Sequence, residues 1–116
     1  RLGFPTANII PPANKRLPKF GVYVSRVLAQ GKYYKGVTNI GRKPTIHGDN
    51  PVGVETFIFD FDWDIYGKMI EVQLLEFDRG EQKFASLEEL KERIEKDKEF
   101  ALRYFEENPL YNPVKI

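Results

Sequence analysis

Cysteine is absent from the 116-residue chain, which excludes a disulfide framework and any thiolate metal site. Histidine occurs once, as His47 in the polar loop 46–51, and one loop histidine argues for neither catalysis nor metal binding. No apolar run approaches the ~20 residues that a membrane-spanning helix needs. The first stretch has Gly, Pro and Asn where a signal peptide would have its apolar core, so the expected setting is soluble and intracellular, in the cytoplasm. Charge of one sign is also lacking. Eighteen basic against seventeen acidic residues leave +1, which gives no general electrostatic case for nucleic acid or an anionic membrane as partner. Any anion must be held locally. Internal repeats and low-complexity tracts are missing, as are a Gly-rich loop ending in Gly-Lys-Ser/Thr, a protein-kinase Gly-rich loop and a catalytic His-Arg-Asp. If ATP binds here, another cradle holds it. The length suits one domain, residues 1–116, large enough to bury a core without staples.

What is present begins with Gly3-Phe4-Pro5-Thr6-Ala7-Asn8. Proline fixes its own backbone and pushes Phe4 extended, so Thr6 and Asn8, two apart in an extended segment, offer their side-chain oxygens on one side. Two readings stand: a Pro-led turn into a first strand, or a pair of neutral oxygen ligands for a hard cation such as Mg²⁺ that arrives with a nucleotide. The chain opens on Arg1-Leu2-Gly3, already inside this segment, and the expectation is that an upstream part is missing or disordered. Residues 9–20, with Pro11, Pro12 and Pro18, make a poor strand and a poor helix; the expectation is a long loop, either a flap over a site or a surface excursion.

Strand chemistry starts at Gly21. Val22, Val24 and Leu28 alternate with Tyr23, Ser25 and Val27, and Tyr33 to Ile40 continues the pattern across Gln30-Gly31, which predicts a hairpin. Arg42 and Lys43 near Pro44 read as a solvated turn or a local phosphate contact. A longer strand is expected over Val52–Trp63. Strict alternation puts Glu55 on a face with Phe57, Phe59, Phe61 and Trp63, opposite Val54, Thr56, Ile58, Asp60 and Asp62. An apolar surrounding disfavours a charged carboxylate and suits a general base; the alternative is a solvated glutamate at the strand's start. Asp60, Asp62 and Asp64 lack the Gly and terminal Glu of an EF-hand, so a solvated strand end is expected. Residues 65–68 turn the chain into a last strand, Met69–Phe77. Antiparallel strands at this spacing point to a small closed or nearly closed barrel.

Ser86-Leu87-Glu88-Glu89 has the form of a capping box. Leu87, Leu90, Ile94, Ala101, Tyr104 and Phe105 follow helical spacing, and Asn108-Pro109 stops the run, so one helix docks its apolar stripe on the barrel and carries no chemistry. The connection Asp78–Phe84 puts a cation, a glycine and an aromatic close together. Such a segment can clamp a planar ligand, with Arg79 on its π-face or carbonyls and Phe84 as an apolar wall. Residues 110–116 form a tail.

Taken together, Gly3-Phe4-Pro5-Thr6-Ala7-Asn8, Gly21-Val22-Tyr23, Gly36-Val37 with Asn39-Ile40-Gly41, Pro44-Thr45, Glu55-Thr56 with Phe59-Asp60-Phe61, Tyr66-Gly67, Arg79-x-Glu81-x-x-Phe84 and Ser86-Leu87-Glu88 resemble the riboflavin kinase family. The likeness covers nearly the whole chain in the right order. It implies a mainly β fold, a six-stranded antiparallel Greek-key barrel with a C-terminal helix. It also implies ATP-dependent phosphorylation of the ribityl 5′-hydroxyl of riboflavin, giving FMN and ADP. By motif, Thr6 and Asn8 would hold the nucleotide's Mg²⁺, Glu55 would take the hydroxyl proton, Ile58, Asp60 and Tyr66 would lie by ATP, and Arg79, Gln82 and Phe84 by the flavin. In bacteria the domain commonly forms the C-terminal half of a bifunctional riboflavin kinase and FAD synthetase, after a nucleotidyltransferase half. This sequence departs from the family pattern at Phe57, where histidine is frequent, at Gly80, where proline is common, and at Lys43 and Ile46. The family also carries a Gly- and Lys/Arg-containing flap segment before the position of Arg1.

Overall fold

In a computed structural model the chain is described over residues 6–9, 18–42, 52–60 and 69–111. The described elements are β1 (Thr6–Ile9), β2 (Gly21–Ala29), β3 (Lys32–Arg42), β4 (Val52–Ile58), β5 (Ile70–Arg79) and α1 (Leu87–Glu107). All neighbouring strands run antiparallel in the order β1-β4-β3-β2-β5. Among the described residues the sheet has five strands and is open, with β1 and β5 at its edges. The six-stranded closed barrel expected from the sequence is therefore not what these residues form.

Local chemistry explains most of the strand ends. Gln30 and Gly31 both have positive φ, 53° and 79°, the two-residue turn whose twist matches antiparallel strands, and Ala29 pairs with Lys32 across it. β4 stops at Ile58, five residues short of the expected Trp63. Phe59 still donates its N–H to the Lys35 carbonyl at 2.9 Å, but Asp60 adopts φ 55°, a left-handed backbone that no strand continues. β5 instead runs two residues past Phe77, so Asp78 and Arg79 belong to a strand rather than to a connection. Its pairing with β2 shifts register between Val22 and Tyr23 and again between Val24 and Ser25. Such bulges bend a strand and re-aim its side chains.

The two faces of the sheet bury different things. One holds Tyr23, Val27, Ala29, Ile40, Val54 and Ile58, together with a chain of hydroxyls: Thr56 donates to Thr38 at 2.8 Å and Thr38 to Ser25 at 2.9 Å, all fully buried. The other face packs Val22, Val24, Val37 and Phe59 against Ala101 and Phe105 of α1. Ser86 caps that helix by accepting from the Glu89 N–H, while the Glu89 carboxylate accepts from the Ala85 N–H, the expected box displaced by one residue on its return arm. Leu87, placed on the apolar stripe by its spacing, is 61% exposed and does not join the core. Leu110 packs on the same core after the helix ends at Asn108.

Candidate active site

Register builds the site. Asn8 pairs with Glu55, Glu55 with Asn39, Asn39 with Val22, and Val22 with Arg79, so one cross-strand row traverses all five strands. Residues paired across antiparallel strands share a face. Strands lie about 4.8 Å apart, so Glu55 and Arg79, three strands removed, stand about 14 Å apart along the sheet. The helix crosses the same face and leaves a cleft of about 280 Å³ between itself and the sheet. Glu55, Asn39, Val22 and Arg79 line its floor, with Val37, Phe57 and Phe59 from the neighbouring positions. Glu81, Gln82 and Phe84 close one end, and Leu90, Ile94, Asp97 and Lys98 of α1 form the roof. A concave, mainly apolar slot with a few convergent polar groups is the usual form of a small-molecule site.

Four residues singled out from the sequence, Glu55, Arg79, Gln82 and Phe84, thus meet in one cleft. Glu55 is half-buried beside Phe57, as alternation required. The Arg79 guanidinium lies 5.8 Å from the Phe84 ring centre, within cation–π range. Thr6 and Asn8 are placed by their backbone pairing, opposite Phe57 and Glu55. Ile58 is not at the cleft: its side chain is fully buried with Val27 and Ala29 on the other face. Asp60 is exposed and does not line the cleft, and Tyr66 lies outside the described residues, as do His47, Lys43, Phe61 and Trp63. Among the described residues no group of three or more His, Asp or Glu could hold a metal ion.

The helix does more than dock. Asp97, only 4% exposed, accepts from Arg79 through two parallel bonds, Nε to Oδ1 at 2.9 Å and Nη2 to Oδ2 at 2.8 Å, the fork geometry that suits arginine to carboxylate. Arg93, one turn earlier, donates to Asp97 Oδ1 at 3.3 Å and reaches toward Asp78 at 3.7 Å. Burial lifts the Asp78 carboxyl to about 7, a hydrogen bond to Asp97 and repulsion from its charge push the same way, and Arg93 and Arg79 pull back. As a carboxylate, Asp78 would leave its buried Oδ2 without a donor; as a carboxylic acid it donates to Asp97. Helical spacing assigns α1 only packing, and this cluster is a finding of the structure. The signal was there: Asp97 sits on the apolar stripe between Ile94 and Ala101, where a charge survives burial only with partners.

Comparison with known proteins decides the family. A family model described as riboflavin kinase matches residues 1–105. The chain belongs to the riboflavin kinase family. Relatives include a bifunctional riboflavin kinase/FMN adenylyltransferase of Bacillus subtilis, 42% identical over 90% of this chain and 34% of that protein. Its counterpart in Haemophilus influenzae is 44% identical over 90% of this chain and 33% of its own length. The chain thus spans about a third of the curated relatives it matches. Among solved structures, one titled as a macrolide-efflux protein from Streptococcus pneumoniae superposes with a TM-score of 0.76 and 34% identity, over 86% of this chain and 33% of that one. No helix among the described residues is long and apolar enough to cross a membrane. As a riboflavin kinase family member the chain has its Glu55, Arg79, Gln82 and Phe84 motif positions in one cleft, which the family match alone did not require.

Proposed function

We propose that this chain phosphorylates riboflavin: the ribityl 5′-hydroxyl attacks the γ-phosphorus of ATP, the bond to the bridging oxygen breaks, and FMN and ADP leave. The observation that carries this reading is the single cross-strand row, which holds the candidate base Glu55 and the candidate flavin residue Arg79 in one cleft about 14 Å apart along the sheet. An elongated ligand with a planar head and a hydroxylated tail fits that separation. Its head lies between Phe84 and the roof residues Leu90 and Ile94, and its tail runs over Val22 and Asn39 to Glu55.

Glu55 accepts the hydroxyl proton as the oxygen–phosphorus bond forms. Phosphoryl transfer passes through a loose transition state, so positioning and charge neutralisation outweigh base strength. Thr6 and Asn8 would hold Mg²⁺ with the nucleotide; their neutral oxygens suit a hard ion that keeps phosphate ligands, and their pairing opposite Phe57 and Glu55 supports the assignment. The ion supplies neutralisation of the phosphate charge. Ile58, Asp60 and Tyr66 are assigned to the nucleotide by motif. Since the Ile58 side chain is buried elsewhere, its backbone would make that contact.

The return of β5 beside β2 after the consecutive strands β2, β3 and β4 supports a Greek-key connection, and closure into the family's six-stranded barrel belongs to the same proposal. The relatives' FMN adenylyltransferase activity is assigned to their remaining length, as an N-terminal nucleotidyltransferase, and the cytoplasm is the proposed location. Incubation with riboflavin, ATP and Mg²⁺ followed by chromatography tests the reading. FMN should appear with Mg²⁺ present and vanish with chelator. Tight riboflavin binding without any FMN would instead make the domain a flavin-binding module.

A further inference from the structure

We infer that Asp97 is a positioning residue of the flavin end of the cleft, fixing the Arg79 guanidinium so that two of its N–H groups remain for the ligand. The inference rests on the riboflavin reading and extends it to a helix residue. Arginine has five N–H donors in a rigid plane. Here Nε and one Nη2 hydrogen go to Asp97, and Nη1 donates to the Gly80 carbonyl at 3.2 Å. That leaves one N–H on each terminal nitrogen. Their side chain lines the cleft next to Phe84 and Gln82, where the carbonyl oxygens of a flavin's pyrimidine ring are the acceptors in need of donors.

Asp97 is itself held. Arg93 donates to it from the preceding turn, and Asp78 on β5 faces it from the strand side. The carboxylate therefore has little freedom, and the guanidinium bound to it in two places has little more. A flexible, unpaired Arg79 would have to be ordered each time ligand bound, and preorganisation removes that cost from the affinity. The effect falls on riboflavin recognition, since the pair sits three strands from Glu55.

The test is a double-mutant cycle of Asp97→Asn and Arg79→Gln, with riboflavin Kd read from quenching of flavin fluorescence and turnover read as FMN formed. Thermal unfolding beforehand restricts the comparison to folded protein. Asp97→Asn should weaken riboflavin about 10-fold and raise its KM in step, while kcat at saturating riboflavin and KM for ATP stay within about 3-fold. In the Arg79→Gln background the same change should add less than about 2-fold, because the residue it acts through is gone. Asp97→Glu should recover part of the loss. Unchanged riboflavin affinity in folded Asp97→Asn, full additivity with Arg79→Gln, or a parallel rise in KM for ATP would each overturn the inference. A wild-type protein that neither binds riboflavin nor forms FMN would overturn the functional reading first, and this inference with it.

Discussion

Replacing Asp78 by asparagine should stabilise the protein at alkaline pH and change little at acidic pH. The Asp78 side chain is 5% exposed, and burial first, then Asp97, raises its carboxyl from 3.8 to about 7. In the unfolded chain it titrates near its ordinary value. Between about pH 4 and pH 7 the folded state therefore keeps a proton that the unfolded state has lost, and stability falls as pH rises through that window. This is the reverse of a salt-bridged aspartate. The gap from 3.8 to about 7, at about 1.4 kcal/mol per pH unit, sets a ceiling of roughly 4 kcal/mol. Asp78 faces Asp97, so part of that gap belongs to the pair rather than to Asp78 alone, and a loss of order 2 kcal/mol is expected. The introduced amide donates to Asp97 as the carboxylic acid does and never ionises. Urea unfolding should then show Asp78→Asn within about 0.5 kcal/mol of wild type near pH 3.5 and about 2 kcal/mol more stable near pH 8.5. A variant less stable than wild type at both values is the contrary result. It would mean that a charged Asp78 is held by Arg93 across 3.7 Å.

Two other substitutions probe the scaffold. Thr38→Val keeps the volume but removes the middle of the buried hydroxyl chain, leaving Ser25 and Thr56 unpaired at 0% exposure, so stability should drop by about 1–3 kcal/mol in denaturant titration; a change under about 0.5 kcal/mol would show that the chain contributes nothing. Gly21 has φ 150°, and a Cβ there would lie 2.5 Å from the Arg79 carbonyl oxygen and 2.7 Å from the Phe77 ring. Gly21→Ala should cost roughly 2–4 kcal/mol and weaken riboflavin binding by moving the strand end that carries Arg79, whereas an unchanged unfolding temperature would contradict that packing.

Local signals were legible. Ser86 with Glu89 announced the helix, Gln30-Gly31 announced the hairpin, and the alternation of Glu55 with Phe57 put a carboxylate on an apolar face. Each depends on neighbours a few residues apart. The row from Asn8 to Arg79 was not legible, because it depends on register between strands distant in sequence and on the bulges between β2 and β5. Alternation also carried β4 too far: nothing in Phe59-Asp60-Phe61 as a pattern reveals the left-handed backbone at Asp60. Asp97 was hidden for a different reason. A helical stripe is judged by its apolar members, and the buried aspartate within it gains meaning only when Arg79 and Arg93 are seen beside it.

In the proposed function one cleft holds the flavin at its Arg79 end and transfers phosphate at its Glu55 end. Glu55→Gln separates the two ends most directly, with riboflavin Kd and the rate of FMN formation measured on the same preparation. Riboflavin affinity should stay within about 3-fold of wild type while FMN formation falls about 100-fold. FMN formed at the wild-type rate by Glu55→Gln would contradict it.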